Sequence, residues 1–347
     1  MRHHPLLLLA PLAITLAVCT PAAAEDSVVA ELERPSTIRS HAGIQVFSAF
    51  DGSAYRLSIR RGGAIEQLPV RPSQVPFDVD IGPDRNGRPQ LIYTRCRTER
   101  TEEYGFTAFG TNGNQGCDLV TYSLEGRGER RVQGANTAAG NEFAPTLWKG
   151  RVAFARQMPG VNRPLVYTRM LSEPRSRPST RLPSIPKRTT TRGILELDLS
   201  GRHLAQRVFY SGHAEVRLVD ISDRSVRRLA RTGVGEGGQY FTGIGFADGD
   251  LGWVSSWLVG GGAVRPGIYR YRLSTGELSR APFPRDYRSY IVASALFDAD
   301  GAYLLYGDPA SDGGCNDVVE GSDVVSRCYL VRSEPLLFAP VRRAGAA

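Results

Sequence analysis

The sequence predicts an all-β fold, a single β-propeller of four-stranded antiparallel blades. A unit of about 45 residues recurs along almost the whole chain, and this period is typical of propeller blades when each unit is rich in strands. Within each unit, apolar and polar residues alternate as they do along a half-buried strand. Tight turns separate these runs, and the 38 glycines and 22 prolines of the 347-residue chain suit a protein with many turns.

The N-terminus is typical of a secretory signal over residues 1–24. Arg2 precedes an apolar stretch at residues 6–18, and small residues before Glu25 provide a cleavage site. A membrane anchor is one alternative, although the stretch is short for a bilayer span. A lipoprotein anchored at Cys19 is another, because the residues before it resemble a lipobox. We therefore expect an extracytoplasmic protein, secreted or periplasmic, whose propeller domain spans residues 25–347.

Six consecutive units are predicted, with seven blades as the alternative count. They cover residues 37–70, 77–135, 141–185, 194–232, 239–284 and 290–341. The first unit shows the pattern, because Ile44–Phe50 and Tyr55–Arg60 both alternate and are separated by Asp51-Gly52. Each later unit has its own turn between the first two strands, at residues 84–87, 149–150, 200–201, 248–249 and 300–301.

The two ends of the chain are expected to belong to the same part of the ring. Residues 27–32 precede the first unit and are expected to pair with the last blade, which would close the ring and cover two sheet edges. Residues 336–341 are expected to form the last strand of the sixth unit.

One stretch of the second unit carries a family resemblance. The run from Phe77 to Cys96, followed by the run from Cys117 to Tyr122, resembles exported propellers of the TolB-like and WD-repeat-like kind. The resemblance covers nearly all of the chain after the signal and implies the propeller fold. It implies no particular activity, since propellers serve as binders, scaffolds and enzymes.

Four cysteines follow the predicted signal, and they form two equivalent pairs. Cys96 and Cys117 flank the loop between the second and third strands of the second unit, and Cys315 and Cys328 flank the corresponding loop of the sixth. An even number in an exported chain predicts disulfides, here Cys96–Cys117 and Cys315–Cys328. The alternatives are cross pairing between the two loops, such as Cys96 with Cys315, free thiols and a zinc site, but no Cys-x-x-Cys motif supports zinc.

The lengths of these loops predict a groove. The equivalent loop of the first unit is short, and in a closed ring the first unit lies between the sixth and the second. Carboxylates and aromatic side chains of the three loops are the candidate groove residues: Asp51, Tyr104, Phe106, Phe109, Asp312 and Asp317. Such groups bind cations or sugars. Calcium is an alternative ligand, although the loops lack the usual Asp-x-Asp-x-Asp-Gly spacing of calcium sites.

No catalytic, cofactor or metal site is predicted. Gly233-x-Gly235-x-x-Gly238 has the letters of a dinucleotide fingerprint but leads into a strand instead of a helix. Carboxylate pairs recur at unit starts and turns, as at Asp78 and Asp80 or Asp298 and Asp300, and we expect them to cap turns. A glycosidase pair of carboxylates is the alternative.

The positive charge is interpreted as a compositional bias. The formal net charge is +8, and all but two of the 43 basic residues are arginines. We expect these arginines to be spread over a solvated surface, without a stripe for nucleic acid. The basic segment 174–192 is predicted to be a loop, with an anion-binding patch as the alternative.

These observations favour a monomeric, non-enzymatic exported propeller that binds a protein or an envelope polymer through its loop face. The rival is a carbohydrate-active hydrolase or lyase with carboxylates in the axial funnel. Whether two carboxylates meet at the axis in a perturbed environment distinguishes the two hypotheses.

Overall fold

The structure is a computed structural model that describes residues 27–32, 36–97, 116–159, 164–183, 191–210, 213–233, 239–257, 267–282, 292–297, 302–307, 328–332 and 336–341. Within these ranges the chain forms 25 β-strands and no helix. The strands build six antiparallel sheets. The prediction of an all-β propeller is therefore confirmed.

We number the sheets in chain order. Sheet 1 contains β2 (Ile38–His41), β3 (Ile44–Phe50), β4 (Tyr55–Arg61) and β5 (Ala64–Gln67). Sheet 2 contains β6 (Val79–Pro83), β7 (Pro89–Arg95), β8 (Asp118–Ser123) and β9 (Gly128–Arg131). Sheet 3 contains β10 (Asn141–Trp148), β11 (Arg151–Gln157), β12 (Leu165–Met170) and β13 (Thr180–Arg181).

The second half of the chain completes the set. Sheet 4 contains β14 (Thr191–Ser200), β15 (His203–Tyr210), β16 (His213–Asp220) and β17 (Val226–Gly233). Sheet 5 contains β18 (Gln239–Ala247), β19 (Asp250–Trp257), β20 (Gly267–Arg272), β21 (Leu278–Ala281) and β25 (Ala339–Pro340). Sheet 6 contains β22 (Val292–Phe297), β23 (Ala302–Gly307), β24 (Cys328–Arg332) and β1 (Ser27–Leu32).

The first strands of the sheets form the inner wall of a closed ring. Each first strand contacts the first strands of both adjacent sheets, and β22 of sheet 6 contacts β2 of sheet 1. Apolar residues fill the gaps between sheets, because side chains alternate along a strand and each sheet buries both faces. The described residues contain six buried apolar clusters, one for each pair of adjacent sheets.

The N-terminal strand closes the ring as predicted. β1 pairs antiparallel with β24 of sheet 6. Ala30 and Leu32 of β1 are buried against Ile38 and Phe47 of sheet 1, so this strand also joins the last sheet to the first.

The C-terminal strand corrects the prediction. β25 pairs with β21 of sheet 5, and the Val341 N–H donates to the Leu278 carbonyl at 2.9 Å. The physical reason is that β1 already occupies the outer edge of β24, so the C-terminal segment pairs with the edge of the adjacent sheet. Five sheets thus have four strands and sheet 5 has five, which differs from the predicted six, or alternatively seven, four-stranded blades.

Adjacent first strands approach so closely at Gly82 that a side chain has no room. A Cβ built on Gly82 of β6 would lie 1.9 Å from the Leu147 carbonyl oxygen of β10. We expect Gly82→Ala to lower the free energy of unfolding by about 1–3 kcal/mol, because the backbone of sheet 3 must move. Urea unfolding measures this change. Gly128→Ala is the control, since its Cβ would make only ordinary contacts; an equal effect of the two substitutions would contradict the close approach.

Candidate functional site

The three loops of the predicted groove connect equivalent strands of adjacent sheets. Each lies between the second and third strands, in sheet 6 between β23 and β24, in sheet 1 between β3 and β4, and in sheet 2 between β7 and β8. Sheet 1 lies between sheets 6 and 2 in the ring. We call the end of the ring where these loops emerge the loop face, and the end with the first-to-second and third-to-fourth strand connections the turn face.

The disulfide of sheet 2 lies at the base of its loop. Cys96 follows the last residue of β7, Cys117 precedes the first residue of β8, and their sulfurs are bonded, as predicted. The bond therefore ties both ends of a long insertion to the sheet, which limits the conformations open to the loop. The second predicted disulfide includes Cys315, which lies outside the described residues, so Cys315–Cys328 stays a prediction.

The short loop of sheet 1 is organised by Asp51. Asp51 Oδ1 accepts hydrogen bonds from the backbone N–H groups of Ser53 and Ala54, and Oδ2 pairs with Arg56 Nε at 2.6 Å. The Arg56 guanidinium and these donors hold the pKa of the Asp51 carboxyl well below its usual range. The carboxylate thus stabilises its own turn, which leaves it poorly suited to bind a ligand directly.

The other predicted groove residues are in the two long insertions. Tyr104, Phe106, Phe109, Asp312 and Asp317 lie outside the described residues. Their grouping in one groove therefore stays a prediction.

The axis of the ring holds a buried charge cluster that sequence reasoning missed. Arg39 on β2 of sheet 1 reaches across the ring to Glu196 on β14 of sheet 4, with 2.7 Å between Nη2 and Oε1. Its Nε lies 4.0 Å from Asp80 Oδ1 on β6. Arg207 on β15 pairs with the other Glu196 oxygen at 2.9 Å. With Asp198, these residues form what we call the axial cluster.

Every member of the axial cluster is removed from solvent. The exposed fraction is between 3% for Asp80 and 9% for Asp198. Three carboxylates face two guanidiniums, so a fully ionised cluster would carry one uncompensated buried negative charge, which is costly. Holding one proton removes this excess charge.

The carboxylates of the cluster also join adjacent sheets. Asp80 Oδ2 accepts the Leu147 N–H of sheet 3 at 2.9 Å, and Asp198 Oδ2 accepts the Phe246 N–H of sheet 5 at 2.5 Å. Glu196 Oε2 likewise accepts the Ile244 N–H at 3.2 Å. These donors lie close to register shifts in β10 and β18, which free backbone groups from the strand ladder.

The predicted capping role of Asp78 and Asp80 is therefore wrong. Asp78 Oδ2 accepts the Ala144 N–H of sheet 3 at 2.7 Å, and this donor lies three residues before the Leu147 N–H that Asp80 binds. The two carboxylates point to one side because side chains alternate along a strand, and they bind the neighbouring sheet instead of a turn. Asp298 and Asp300 lie outside the described residues.

Burial shifts the protonation of the axial carboxylates. Burial, followed by the charge of Asp80, raises the pKa of Asp198 to about 7. Burial also raises the pKa of Asp80, against the charge of Arg39. Burial alone would lower the pKa of Arg39, but the charges of Glu196, Asp198 and Asp80 raise it. Two carboxylates thus meet at the axis in a perturbed environment, yet neither is open to a substrate.

Stability should fall as the pH rises towards neutrality, and Asp198 should be one cause. The native carboxyl keeps its proton up to a pH of about 7, whereas the unfolded one loses it near 3.8. Between these values the native state binds more protons, so this group lowers the unfolding free energy by up to about 1.4 kcal/mol per pH unit. We expect the urea midpoint to decline as the pH is raised from about 4.5 to about 8. Asp198→Asn should make this decline less steep.

The comparison of the two pH profiles isolates the axial site. Exposed carboxylates such as Asp51 and Asp223 have lowered pKa values, so their stabilisation is lost only as the pH falls below the unfolded value. Their contribution cancels between the wild type and the variant. An unchanged slope in Asp198→Asn would mean that the axial proton does not exist.

The remaining motifs show no catalytic geometry in the described part of the chain. β17 ends at Gly233, and the next described residues form β18, so the Gly-x-Gly-x-x-Gly letters lead into a strand as predicted. No group of three His, Cys, Asp or Glu residues within the described ranges is arranged to hold a metal ion. Within the same ranges, no helix has the length and apolar character needed to cross a membrane.

The signals for the axial cluster were present only in part. Glu196 and Asp198 alternate with leucines in the second half of β14, which places two carboxylates on one face of a buried element. Arg39 is a single arginine in a short strand, and no pattern in the chain connects it with a residue on the opposite side of the ring.

Comparisons with known proteins agree on the fold. No family model matches the chain, and no curated protein matches it. The structure is similar to TolB from Acinetobacter baumannii, with a TM-score of 0.48 and 14% identity over 86% of this chain and 65% of that chain. It is also similar to a structure from a study of two prolyl endopeptidases (TM-score 0.46, 12% identity, 90% of this chain and 44% of that chain).

An oligogalacturonate lyase in complex with manganese is a third similar structure, with a TM-score of 0.44, 10% identity and coverage of 84% of this chain and 74% of that chain. The chain spans 65% or less of the length of the first two of these structures. The closed ring of antiparallel sheets makes this protein a β-propeller, and its fold is similar to that of TolB. Similarities at this level carry no argument about activity or partner.

Proposed function

We propose that this chain is an exported, non-enzymatic β-propeller that binds a protein or an envelope polymer on its loop face. The observation that carries the proposal is the position of the two long insertions. They follow the second strands of sheets 6 and 2, on either side of sheet 1, whose own loop has only the residues between β3 and β4. We propose that the two insertions form the walls of a groove above this short loop.

The disulfide supports a recognition role for the sheet 2 insertion. A loop tied at both ends loses less conformational entropy when it binds a partner than a free one does. The disulfide also suits an oxidising compartment, in agreement with the predicted secretory signal.

The axial cluster argues against chemistry in the funnel. A general acid or nucleophile must reach the substrate, and the carboxylates of Asp80, Glu196 and Asp198 are instead buried and bonded to the neighbouring sheets. These carboxylates instead form the ion pairs and hydrogen bonds that hold opposite and adjacent sheets together. This arrangement favours a binding protein over a carbohydrate-active enzyme with carboxylates in the funnel.

The second candidate function, a carbohydrate-active hydrolase or lyase, is favoured by one observation only. The pKa of Asp198 is raised to about 7, which is the kind of shift that a general acid needs. Activity of the purified protein on acidic and neutral polysaccharides, lost in Asp198→Asn while the fold is kept, would establish this candidate and overturn the binder.

The binding proposal is tested with the oxidised mature protein. It is immobilised and exposed to the envelope fraction of its own cells and then to a glycan array. The triple variant Tyr104→Ala/Phe106→Ala/Phe109→Ala is expected to weaken binding of the captured ligand at least about tenfold, because aromatic anchors dominate recognition.

A matched triple variant keeps the test specific. Val28, Ile65 and Val226 are exposed apolar residues on outer strands, away from the predicted groove. Their replacement by alanine should leave binding unchanged. Equal losses in the two triple variants, or no ligand in either assay, would count against the groove.

A further inference from the structure

The positive charge of this chain is concentrated in two adjacent sheets. Residues 141–233, which include sheets 3 and 4, contain 18 Lys or Arg and 7 Asp or Glu, whereas the remainder of the chain has 25 and 28. A compositional bias alone predicts an even spread. Basic residues are therefore denser in this part of the chain than in the rest.

The structure places much of this charge on the outside of sheets 3 and 4. The exposed basic side chains of their described residues are Lys149, Arg175, Arg177, Arg181, Arg202, Arg224, Arg227, Arg228 and Arg231. We call this set the basic arc. Among the same described residues the only exposed carboxylate is Asp223. On sheet 5, the exposed charged residues within the described ranges are both acidic, Asp248 and Glu277, so the arc ends there.

The basic arc covers the turn face and the outer edge of the ring. Lys149 and Arg202 lie in connections between first and second strands, and Arg175 and Arg224 lie in connections between third and fourth strands. The first pair of connections has two residues each, so these turns project little beyond the sheets. Arg181 and Arg231 lie on the outermost strands β13 and β17, and Arg231, opposite Glu215 near the start of β16, lies towards the loop-face end of its strand.

Three of the nine side chains of the basic arc form ion pairs: Arg177 with Glu173, Arg202 with Asp220 and Arg228 with Glu215. Within the described residues, no ion pair or hydrogen bond is formed by the side chains of Arg175, Arg181, Arg224 and Arg231. Sheet 2 is also basic, and Arg85 and Arg130 there likewise form no ion pair within the described residues. There Arg88 pairs with Asp84 and Glu125, and Arg131 pairs with Asp118. The arc therefore presents free guanidinium groups to solvent.

The chemistry of the arc fits phosphate groups on an extended surface. Guanidinium groups bind phosphate oxygens through two parallel hydrogen bonds. They are also more weakly hydrated than an ammonium group, so less bound water has to be removed when they bind. The arginines of the arc are exposed and are spread over turns and outer strands of two sheets. Such a delocalised charge suits mobile anionic groups in a plane better than one defined acidic peptide.

We propose that the basic arc docks this protein on a bilayer that carries anionic phospholipids. The turn face and the edge of sheets 3 and 4 lie against the headgroups. The loop face lies at the opposite end of the ring and stays free for the ligand of the proposed function. The docking surface and the loop groove consist of different residues, so either proposal can be contradicted without affecting the other.

Vesicle flotation tests the proposal. The full mature protein is mixed with vesicles of phosphatidylcholine alone or of phosphatidylcholine with phosphatidylglycerol. Binding is expected only to the anionic vesicles and should decline steeply with added salt, because the attraction is screened within a Debye length. The variant Arg175→Gln/Arg181→Gln/Arg224→Gln/Arg231→Gln should bind on the order of 100-fold more weakly at low salt.

A charge-matched control separates position from net charge. Arg61, Arg71, Arg85 and Arg130 of sheets 1 and 2 are also exposed, and their side chains form no ion pair within the described residues. The variant with glutamine at these four positions should bind anionic vesicles nearly as well as the wild type. If both variants lost the same amount of binding, net charge alone would explain the binding, and docking through the basic arc would be overturned.

Two further outcomes would also overturn the proposal. One is equal binding to vesicles with and without phosphatidylglycerol. The other is arc-dependent binding to a soluble acidic polysaccharide without binding to anionic vesicles, since that result assigns the arc to a different polyanion. Capture of the loop-face ligand by the arc variant should be unchanged, which keeps the two sites distinguishable.

Discussion

Replacing Arg39 with methionine is expected to lower the free energy of unfolding by about 3–5 kcal/mol. Arg39 lies between Glu196 and Asp80, and its side chain is 7% exposed. Methionine fills much of the volume but leaves the buried carboxylates with Arg207 as their only basic partner in the axial cluster. The loss is large because an unpaired buried charge costs more than the pair contributes.

Urea unfolding followed by tryptophan fluorescence measures this effect. Arg61→Met is the control, since Arg61 is exposed at the end of β4. At a pH above about 7, where Asp198 is ionised, the double variant Arg39→Met/Asp198→Asn should be less destabilised than the sum of the single variants, because it removes one charge of each sign. A loss no larger than that of the control would mean that the axial cluster does not hold opposite sheets together.

Replacing Leu32 with alanine is expected to cost about 2–5 kcal/mol, the second largest effect. Leu32 lies on β1, is 5% exposed, and packs in the apolar cluster between sheets 6 and 1. The ring is closed at this gap by a strand from the other end of the chain. Weakening this contact therefore affects the whole ring and not one sheet alone.

The same strand provides its own control. Val28 on β1 is 58% exposed, so Val28→Ala should change the free energy of unfolding by no more than about 0.5 kcal/mol. Thermal and urea unfolding of both variants measure the difference. Similar values for the two substitutions would show that β1 is not part of the closure of the ring.

The sequence predicted the local elements well because their signals are local. Alternation of apolar and polar residues requires only neighbouring positions, and so does an Asp-Gly or Lys-Gly turn. The disulfide between Cys96 and Cys117 was equally predictable, because both cysteines adjoin strands that are paired in the same sheet.

The candidate site was less predictable. The groove was inferred from loop lengths, and its aromatic and acidic residues apart from Asp51 lie outside the described part of the chain. For Asp51 the structure assigns the carboxylate to its own turn, which a sequence pattern does not distinguish from an open binding group. The arginine-rich segment was recognised, but its extension over two whole sheets became visible only with the fold.

The sequence by itself determined the kind of fold, the order of the strands and the residues that each strand buries. Only the tertiary structure decided which distant groups meet. It paired the first strand with sheet 6 and the last with sheet 5, and it brought Arg39 to Glu196 across the ring. The physical reason is that alternation gives the face of a strand on which a side chain lies, whereas the partner across a gap or an axis depends on the closure of the ring.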